Sequence, residues 1–393
     1  MTRKDVLKEV INIPNKTVAL ELPTSFGKSF IALELIKHKI KPNNSNILIV
    51  VPRLVLIDNW KKEIEKWNYT KYNFTFVTYI SLPKHINNTY DIIVYDEAHH
   101  LSERCLLSVP FIKSSYNILL SATLGNKLKS SIKTYFKDTY IYKISARQAI
   151  EEEILPDPMI YLLPLNLNDI KEDFLIYKNP KGKNVVYCNY KERWSYIKNK
   201  NNRVIIRCSA SEYYEDLDSM TEFYKNRYMS TGNSAFKNMW LNQAGKRLKW
   251  LSDIKINYLL DILHTIKDER TLTFCNNIEQ TELLGKYCIN SKNANSEKYL
   301  ELFNTGKINH ITACNMLNEG MNLINCRIGL YANLNSSETI IKQRLGRLLR
   351  HKNPILIIPF FLNTREYELI CKMKEDYNPE LIKIINNIKE IKL

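Results

Sequence analysis

Two short stretches carry the residue types that can do chemistry. In "DIIVYDEAHHLSER" (residues 91–104), the apolar β-formers Ile92, Ile93, Val94 and Tyr95 stop at Asp96, Glu97, His99 and His100. In "LPTSFGKSF" (22–30), an apolar strand gives way to Thr24, Ser25, Phe26, Gly27, Lys28 and Ser29 where a helical pattern opens. The first stretch admits three readings: a direct metal site, a charged strand end without chemistry, or the acids of a nucleotide site. The metal reading is weak, because the adjacent His99 and His100 cannot both point inward and no third ligand cluster is evident. The second stretch lies where free backbone N–H groups and the helix dipole favour a phosphate. There Gly27 lets the backbone approach closely, Lys28 can reach β- and γ-phosphates, and Ser29 can hold Mg²⁺. Leu22 departs from the full G-x-x-x-x-G-K-[ST] pattern, which has glycine at that position. A later strand ending in Asp96 and Glu97 supplies what such a site still needs. The first acid completes a Mg²⁺ shell, often through water, and the second orients or deprotonates the attacking water.

These groups need a scaffold that brings strand ends and helix starts to one edge. "TVALEL", "NILIVV", "NFTFVTY", "DIIVYD" and "YNILLSA" alternate with helix-like stretches in one region, and "RTLTFC", "HITACNML", "CRIGLYA" and "PILIIPF" do so in another. Strands alternating with helices of 10–15 residues imply βαβ units and parallel sheets. The expectation is an α/β chain with two open domains in tandem, residues 1–145 and 262–393. Residues 146–261 are expected to form a linker and a basic, partly helical insert. Within it "LPDPMIYLLPLNL" (155–167) is punctuated by proline and suits a linker or edge strand. Residues 223–252 hold Lys225, Arg227, Lys237, Lys246, Arg247 and Lys249 without an acid, mixed with Tyr224, Tyr228, Phe236, Trp240 and Trp250. Such a segment either holds phosphates and stacks bases or is a helical insert with core aromatics and solvated lysines.

The 393 residues carry a formal net charge of +16, which points to a polyanionic partner. No apolar run is long enough to span a bilayer, and the charged N-terminus lacks the apolar region of a secretory signal. The eight cysteines contain no CxxC pair, against a zinc ribbon or a disulfide framework and in favour of a reducing cytoplasmic setting.

In order and spacing the motifs resemble those of a superfamily 2 helicase or translocase of the DEAH type. "PTSFGKS" is similar to motif I, "VPRLVLIDNW" to motif Ia, "DEAH" to motif II and "SAT" to motif III. "TLTFCN", "ACNMLNEGMNL" and "QRLGRLLR" resemble motifs IV, V and VI. The motif style is nearest to phage branch-migration helicases, repair translocases and restriction-enzyme motor subunits. The resemblance implies two RecA-like domains with ATP and Mg²⁺ between them. Thr24, Ser25, Phe26, Gly27, Lys28 and Ser29 would hold the nucleotide, with Gly320 closing on it from the second domain. Ser29 and Asp96 would hold the metal, Glu97 would activate water, and His99, Ser121 and Thr123 would couple nucleotide state to domain closure. Gln343 and the arginine fingers Arg347 and Arg350 would reach the γ-phosphate, and their spacing does place all three on one helix face. Arg53, Thr78, Asn276, Lys246 and Arg247 are the expected nucleic-acid contacts. Arg53, Cys314 and Asn322 depart from the residues common at their motif positions, and no glutamine-bearing adenine motif precedes motif I.

The expected function is an ATP-dependent motor on nucleic acid, DNA favoured over RNA. The alternatives are an RNA helicase and a nucleic-acid-binding subunit that uses ATP as a conformational switch. Membership in a larger replication, repair or restriction assembly stays open, and the motif style is compatible with a virus-encoded protein inside a host cell.

Overall fold

The structure is a computed structural model that describes residues 2–42, 45–178, 195–198, 203–314, 323–334, 348, 350–375 and 377–392. Six strands, β1 (Thr17–Glu21), β2 (Asn46–Val51), β3 (Asn73–Thr78), β4 (Thr89–Tyr95), β5 (Lys113–Ser121) and β6 (Thr139–Lys143), form the first sheet. Their order is β3-β2-β4-β5-β1-β6 and every pair is parallel. Burial on both faces explains why central strands read as unbroken apolar runs: Ile47, Leu48, Ile49, Val50 and Val51 of β2 are all buried. Helices α1 (Arg3–Ile11), α2 (Lys28–Lys39), α3 (Val55–Lys66), α4 (Glu103–Ser108), α5 (Asn126–Tyr135) and α6 (Ala146–Glu151) accompany this sheet. The helix α3 buries Leu56, Trp60 and Ile64, a stripe at four-residue spacing.

The proline-punctuated stretch is not a linker or an edge strand. It forms β7 (Met159–Leu165), an interior strand of the second sheet. Next come β8 (Glu172–Lys178), β9 (Ser195–Lys198) and β10 (Arg203–Cys208), a small antiparallel sheet of order β8-β10-β9 that no motif in the sequence announces. Two long helices follow, α7 (Ala210–Thr231) and α8 (Ser234–Ile254), which pack as a hairpin. Gly232 makes the turn possible, since it caps α7 in the left-handed region at φ 66°. The chain continues through α9 (Ile256–Thr265), β11 (Thr271–Cys275), α10 (Ile278–Leu284), β12 (Cys288–Ile289), α11 (Ser296–Asn304) and β13 (His310–Cys314). It closes with β14 (Ile328–Tyr331), β15 (Ile355–Phe361), α12 (Arg365–Lys374) and β16 (Ile382–Ile384). The second sheet runs β12-β13-β11-β14-β15-β7-β16, again wholly parallel.

The insert is therefore helical, and most of its aromatics engage one another. Tyr228 and Trp240 stack across the hairpin with ring centroids 6.1 Å apart, and Trp250 meets Tyr213 edge-on at 5.2 Å. The base of the hairpin is locked to α12, the helix that follows β15, by a fully buried ion pair, Lys255 with Glu366 at 2.6 Å. Among the described residues, no helix is long and apolar enough to cross a membrane.

Candidate nucleotide site and nucleic-acid face

In an open parallel sheet, ligands bind outside the carboxyl ends of the strands where the strand order reverses. In the first sheet, β1 lies between β5 and β6 while the chain leaves it for β2 on the far side of β4. The loop from β1 to α2 holds the GKS residues, with Gly27 at φ 95° as the N-cap of α2. A side chain is rarely tolerated in that conformation, so the glycine is required by the turn itself. Ser25 is also left-handed, at φ 65°. Lys28 Nζ donates to Leu22 O at 3.3 Å, and Arg3 Nη2 donates to Ser25 O at 3.3 Å from behind. Arg3 also bonds Ile154 O at 3.3 Å, so α1 braces the loop. Phe26 does not line the site with its side chain: the ring is 1% exposed and belongs to the core. Only its backbone is available to a phosphate.

The carboxyl end of β4 brings Asp96 and Glu97 beside this loop. Asp96 is buried, and its Oδ2 accepts from Trp60 Nε1 at 2.9 Å while Oδ1 accepts from the Glu97 N–H at 3.0 Å. Burial, and after it the neighbouring Glu97 charge, push the Asp96 carboxyl up to about 6, against the Trp60 hydrogen bond and the Lys28 charge. Glu97 sits in the left-handed region at φ 47°, a strained conformation of the kind that clusters at functional sites. Its Oε2 is buried without a hydrogen-bond partner, although His99 Nδ1 lies 3.4 Å away. An unsatisfied buried carboxylate oxygen beside a lysine-bearing phosphate loop fits a site built for a nucleotide with its metal and water. His99 Nδ1 also meets Ser121 Oγ at 3.2 Å. Ser121 Oγ donates in turn to Thr123 O at 2.7 Å, so the three residues expected to couple do form one hydrogen-bonded set.

From the second domain Arg350 reaches over to the loop, its Nε donating to Ser25 Oγ at 3.3 Å. Gln343, Arg347 and Gly320 lie outside the described residues. A cavity of about 820 Å³ opens beside these groups, lined among others by Thr24, His99, Thr123, Lys129 and, from the far end of the chain, Tyr377.

Two families match the chain, each over one of its parts. Residues 3–87 match the type III restriction enzyme res subunit, and residues 254–352 match the helicase conserved C-terminal domain. The chain is a superfamily 2 helicase or translocase. Among curated proteins, this helicase-family chain is similar to the DNA 3'-5' translocase XPB2 of Sulfurisphaera tokodaii. The two are 23% identical over 387 residues, covering 92% of this chain and 82% of that one. The Hef helicase domain of Pyrococcus furiosus shares its fold at a TM-score of 0.53 and 12% identity, over 94% of this chain and 97% of that one. S. cerevisiae Dbp5 bound to RNA and ADP BeF3 does so at 0.57 and 11%, over 98% and 88%.

The expected nucleic-acid contacts of this helicase-family chain fall in several places. Arg53 is exposed just ahead of α3, Thr78 ends β3, and Asn276 follows β11, so all three lie at carboxyl edges of the two sheets. Lys246 is exposed on α8. Arg247 is not open to a phosphate: it is 12% exposed and paired with Asp218 of α7, a lock within the hairpin. The sequence reading assigns no site role to Arg3, Trp60 or Tyr79. Tyr79 is buried and donates its hydroxyl to Asp96 O at 2.8 Å. The usable signal was position: Trp60 lies on the buried stripe of α3, in the helix that follows the strand beside β4.

Proposed function

We propose that the chain is an ATP-driven motor that moves along DNA by closing and opening the cleft between its two parallel-sheet domains. Residues 1–145 act as the first RecA-like unit, and 262–393 act as the second with β7 added to its sheet. The observation that carries this reading is Arg350 of the second domain, whose Nε lies 3.3 Å from Ser25 Oγ of the phosphate loop. Lys28 and Ser29 bind the phosphates, and Ser29 and Asp96 hold Mg²⁺, which when bound neutralises charge on the phosphate oxygens. Glu97 orients the attacking water and takes its proton. Arg350, with Arg347 and Gln343, meets the charge that develops on the γ-phosphate, a contribution worth roughly 10³–10⁵ in rate for an arginine finger. Gly320 closes on the nucleotide, and His99, Ser121 and Thr123 convey its state to the domain interface. Arg53, Thr78, Asn276 and Lys246 hold the strand. DNA is favoured over RNA because the relative that aligns along 92% of the chain is named for DNA translocation.

ATPase rate measured alone and with single-stranded, duplex and forked DNA and with RNA tests the proposal. DNA is expected to stimulate most, and Glu97→Gln is expected to keep ATP binding while losing turnover. A rate that no nucleic acid lifts above the Lys28→Ala background would overturn the motor reading. Strand release from the fork then separates helicase from translocase.

A further inference from the structure

The carboxylate of Asp96 is held by more than its own loop. Its backbone N–H donates to Val50 O at 2.8 Å, extending the β2–β4 ladder by one residue. The carbonyl accepts from Tyr79 Oη at 2.8 Å, and Tyr79 is itself fixed by its N–H to Val51 O at 3.1 Å. Those bonds settle the main chain and leave the side chain free to rotate. The donor that restrains it from another element is the indole N–H of Trp60, 2.9 Å from Oδ2. Trp60 is 2% exposed and belongs to the core stripe of α3, so its ring cannot turn to seek another partner. The remaining bond, from Glu97 N to Oδ1 at 3.0 Å, comes from the adjacent residue and moves with the same turn.

A packed tryptophan usually finds a partner for its N–H, so the contact can be seen as Asp96 serving Trp60. The charges argue for the opposite direction. A neutral donor loses little by bonding a carbonyl instead, whereas a buried carboxylate gains a charge-assisted bond and loses its rotational freedom. Each carboxylate oxygen accepts twice, so these two bonds leave one lone-pair direction on each oxygen. We propose that Trp60 is a positioning residue that sets the Asp96 carboxylate for the metal–nucleotide complex. The assignment rests on the function proposed above. It gives the buried face of α3 a duty in the site, on the helix that the exposed Arg53 shortly precedes.

The test replaces Trp60 by 3-benzothienylalanine, which keeps the bicyclic shape and lacks the N–H, alongside Trp60→Phe. The readout is equilibrium binding of N-methylanthraniloyl-ATP titrated with Mg²⁺, and in excess EDTA. The Mg²⁺ concentration at half-maximal effect is expected to rise about 10- to 100-fold, the usual cost of losing a group that orients a metal ligand. Binding in EDTA should stay within twofold of wild type, which a general loss of fold would not allow. An unchanged Mg²⁺ midpoint in the benzothienyl variant, with wild type responding normally, would overturn the role of Trp60 alone. Wild type showing no Mg²⁺-dependent nucleotide binding would overturn the proposed function together with it.

Discussion

Removing the ammonium of Lys255 should be the most damaging single change to the second domain. Lys255 stands between α8 and α9 and is 0% exposed. Its Nζ donates to Glu366 Oε1 at 2.6 Å, to Oε2 at 2.7 Å and to Pro359 O at 3.1 Å, which uses all three of its protons. Glu366 Oε2 also accepts the Phe361 N–H at 3.1 Å. Burial pulls the Lys255 ammonium below its ordinary range, and the Glu366 charge and hydrogen bond push it back. Lys255→Met keeps the length of the side chain and leaves the carboxylate buried with one N–H donor. Breaking a buried pair from one side costs about 3–5 kcal/mol. At roughly 2–4 °C per kcal/mol for a unit of this size, the midpoint should fall by about 10 °C. Lys255→Met with Glu366→Leu removes both charges and should recover most of that loss, because an apolar replacement of similar volume is often neutral. Thermal unfolding followed by tryptophan emission reports the event, since Trp250 packs near this junction at the base of the hairpin. A cost below about 1 kcal/mol for the single variant, or a double variant as poor as the two singles summed, would refute the reasoning.

The remaining expectations follow from other contacts. Arg350→Ala should retain ATP binding and lose at least about tenfold in turnover, measured under saturating ATP, and Arg350→Lys should not restore it because a lysine lacks the fork. Gly329→Ala would place a Cβ 2.2 Å from Leu348 Cδ1. Leu348 is fully buried and lies two residues before Arg350, so the change should cost about 1–3 kcal/mol in a melting curve and lower turnover with it. His310 bonds Thr273 Oγ1 at 2.9 Å, and burial lowers its pKa from 6.5 to about 4. The folded form is thus neutral where the unfolded chain takes up a proton, so this stability is present above pH 6.5 and is lost as pH falls towards about 4. The loss should total roughly 3 kcal/mol at about 1.4 kcal/mol per pH unit, and His310→Gln should flatten it in urea melts taken across that range.

The two ends of the nucleotide site were legible because each is local. A strand followed by GKS at a helix start, and a strand ending in Asp96 and Glu97, state their geometry within about ten residues. The stretch that became β7 was not, because its prolines argue against an interior strand. The register explains how the sheet accepts them. β16 pairs with Ile160–Leu162 of β7, so Pro164 lies past the end of that neighbour. β14 pairs with Ile355–Ile357 of β15, so Pro359 lies past the end of that one. Each proline sits where one flank of its strand has run out of partners, and which neighbour is short is a long-range fact. Arg247 fails for the same reason: its type suited a phosphate, and only the packing of α7 on α8 reveals Asp218 opposite it.

The contacts around Asp96 join what the sequence left separate. The elements that hold it are α3 through Trp60, the end of β2 through Val50 O, and the turn after β3 through Tyr79. The proposed strand contacts Arg53 and Thr78 lie just ahead of α3 and immediately before Tyr79. A strand gripped at Arg53 and Thr78 therefore pulls on segments that end on Asp96, one at its carboxylate through Trp60 and one at its main-chain carbonyl through Tyr79. Coupling by this route needs no long pathway, only that those segments move as rigid pieces. Tyr79→Phe tests it, because the variant keeps the buried ring and removes the hydrogen bond to Asp96 O. The fold-stimulation of ATPase by DNA should drop with affinity for DNA unchanged, and a variant stimulated as fully as wild type would show that the grip on the strand reaches the metal site some other way.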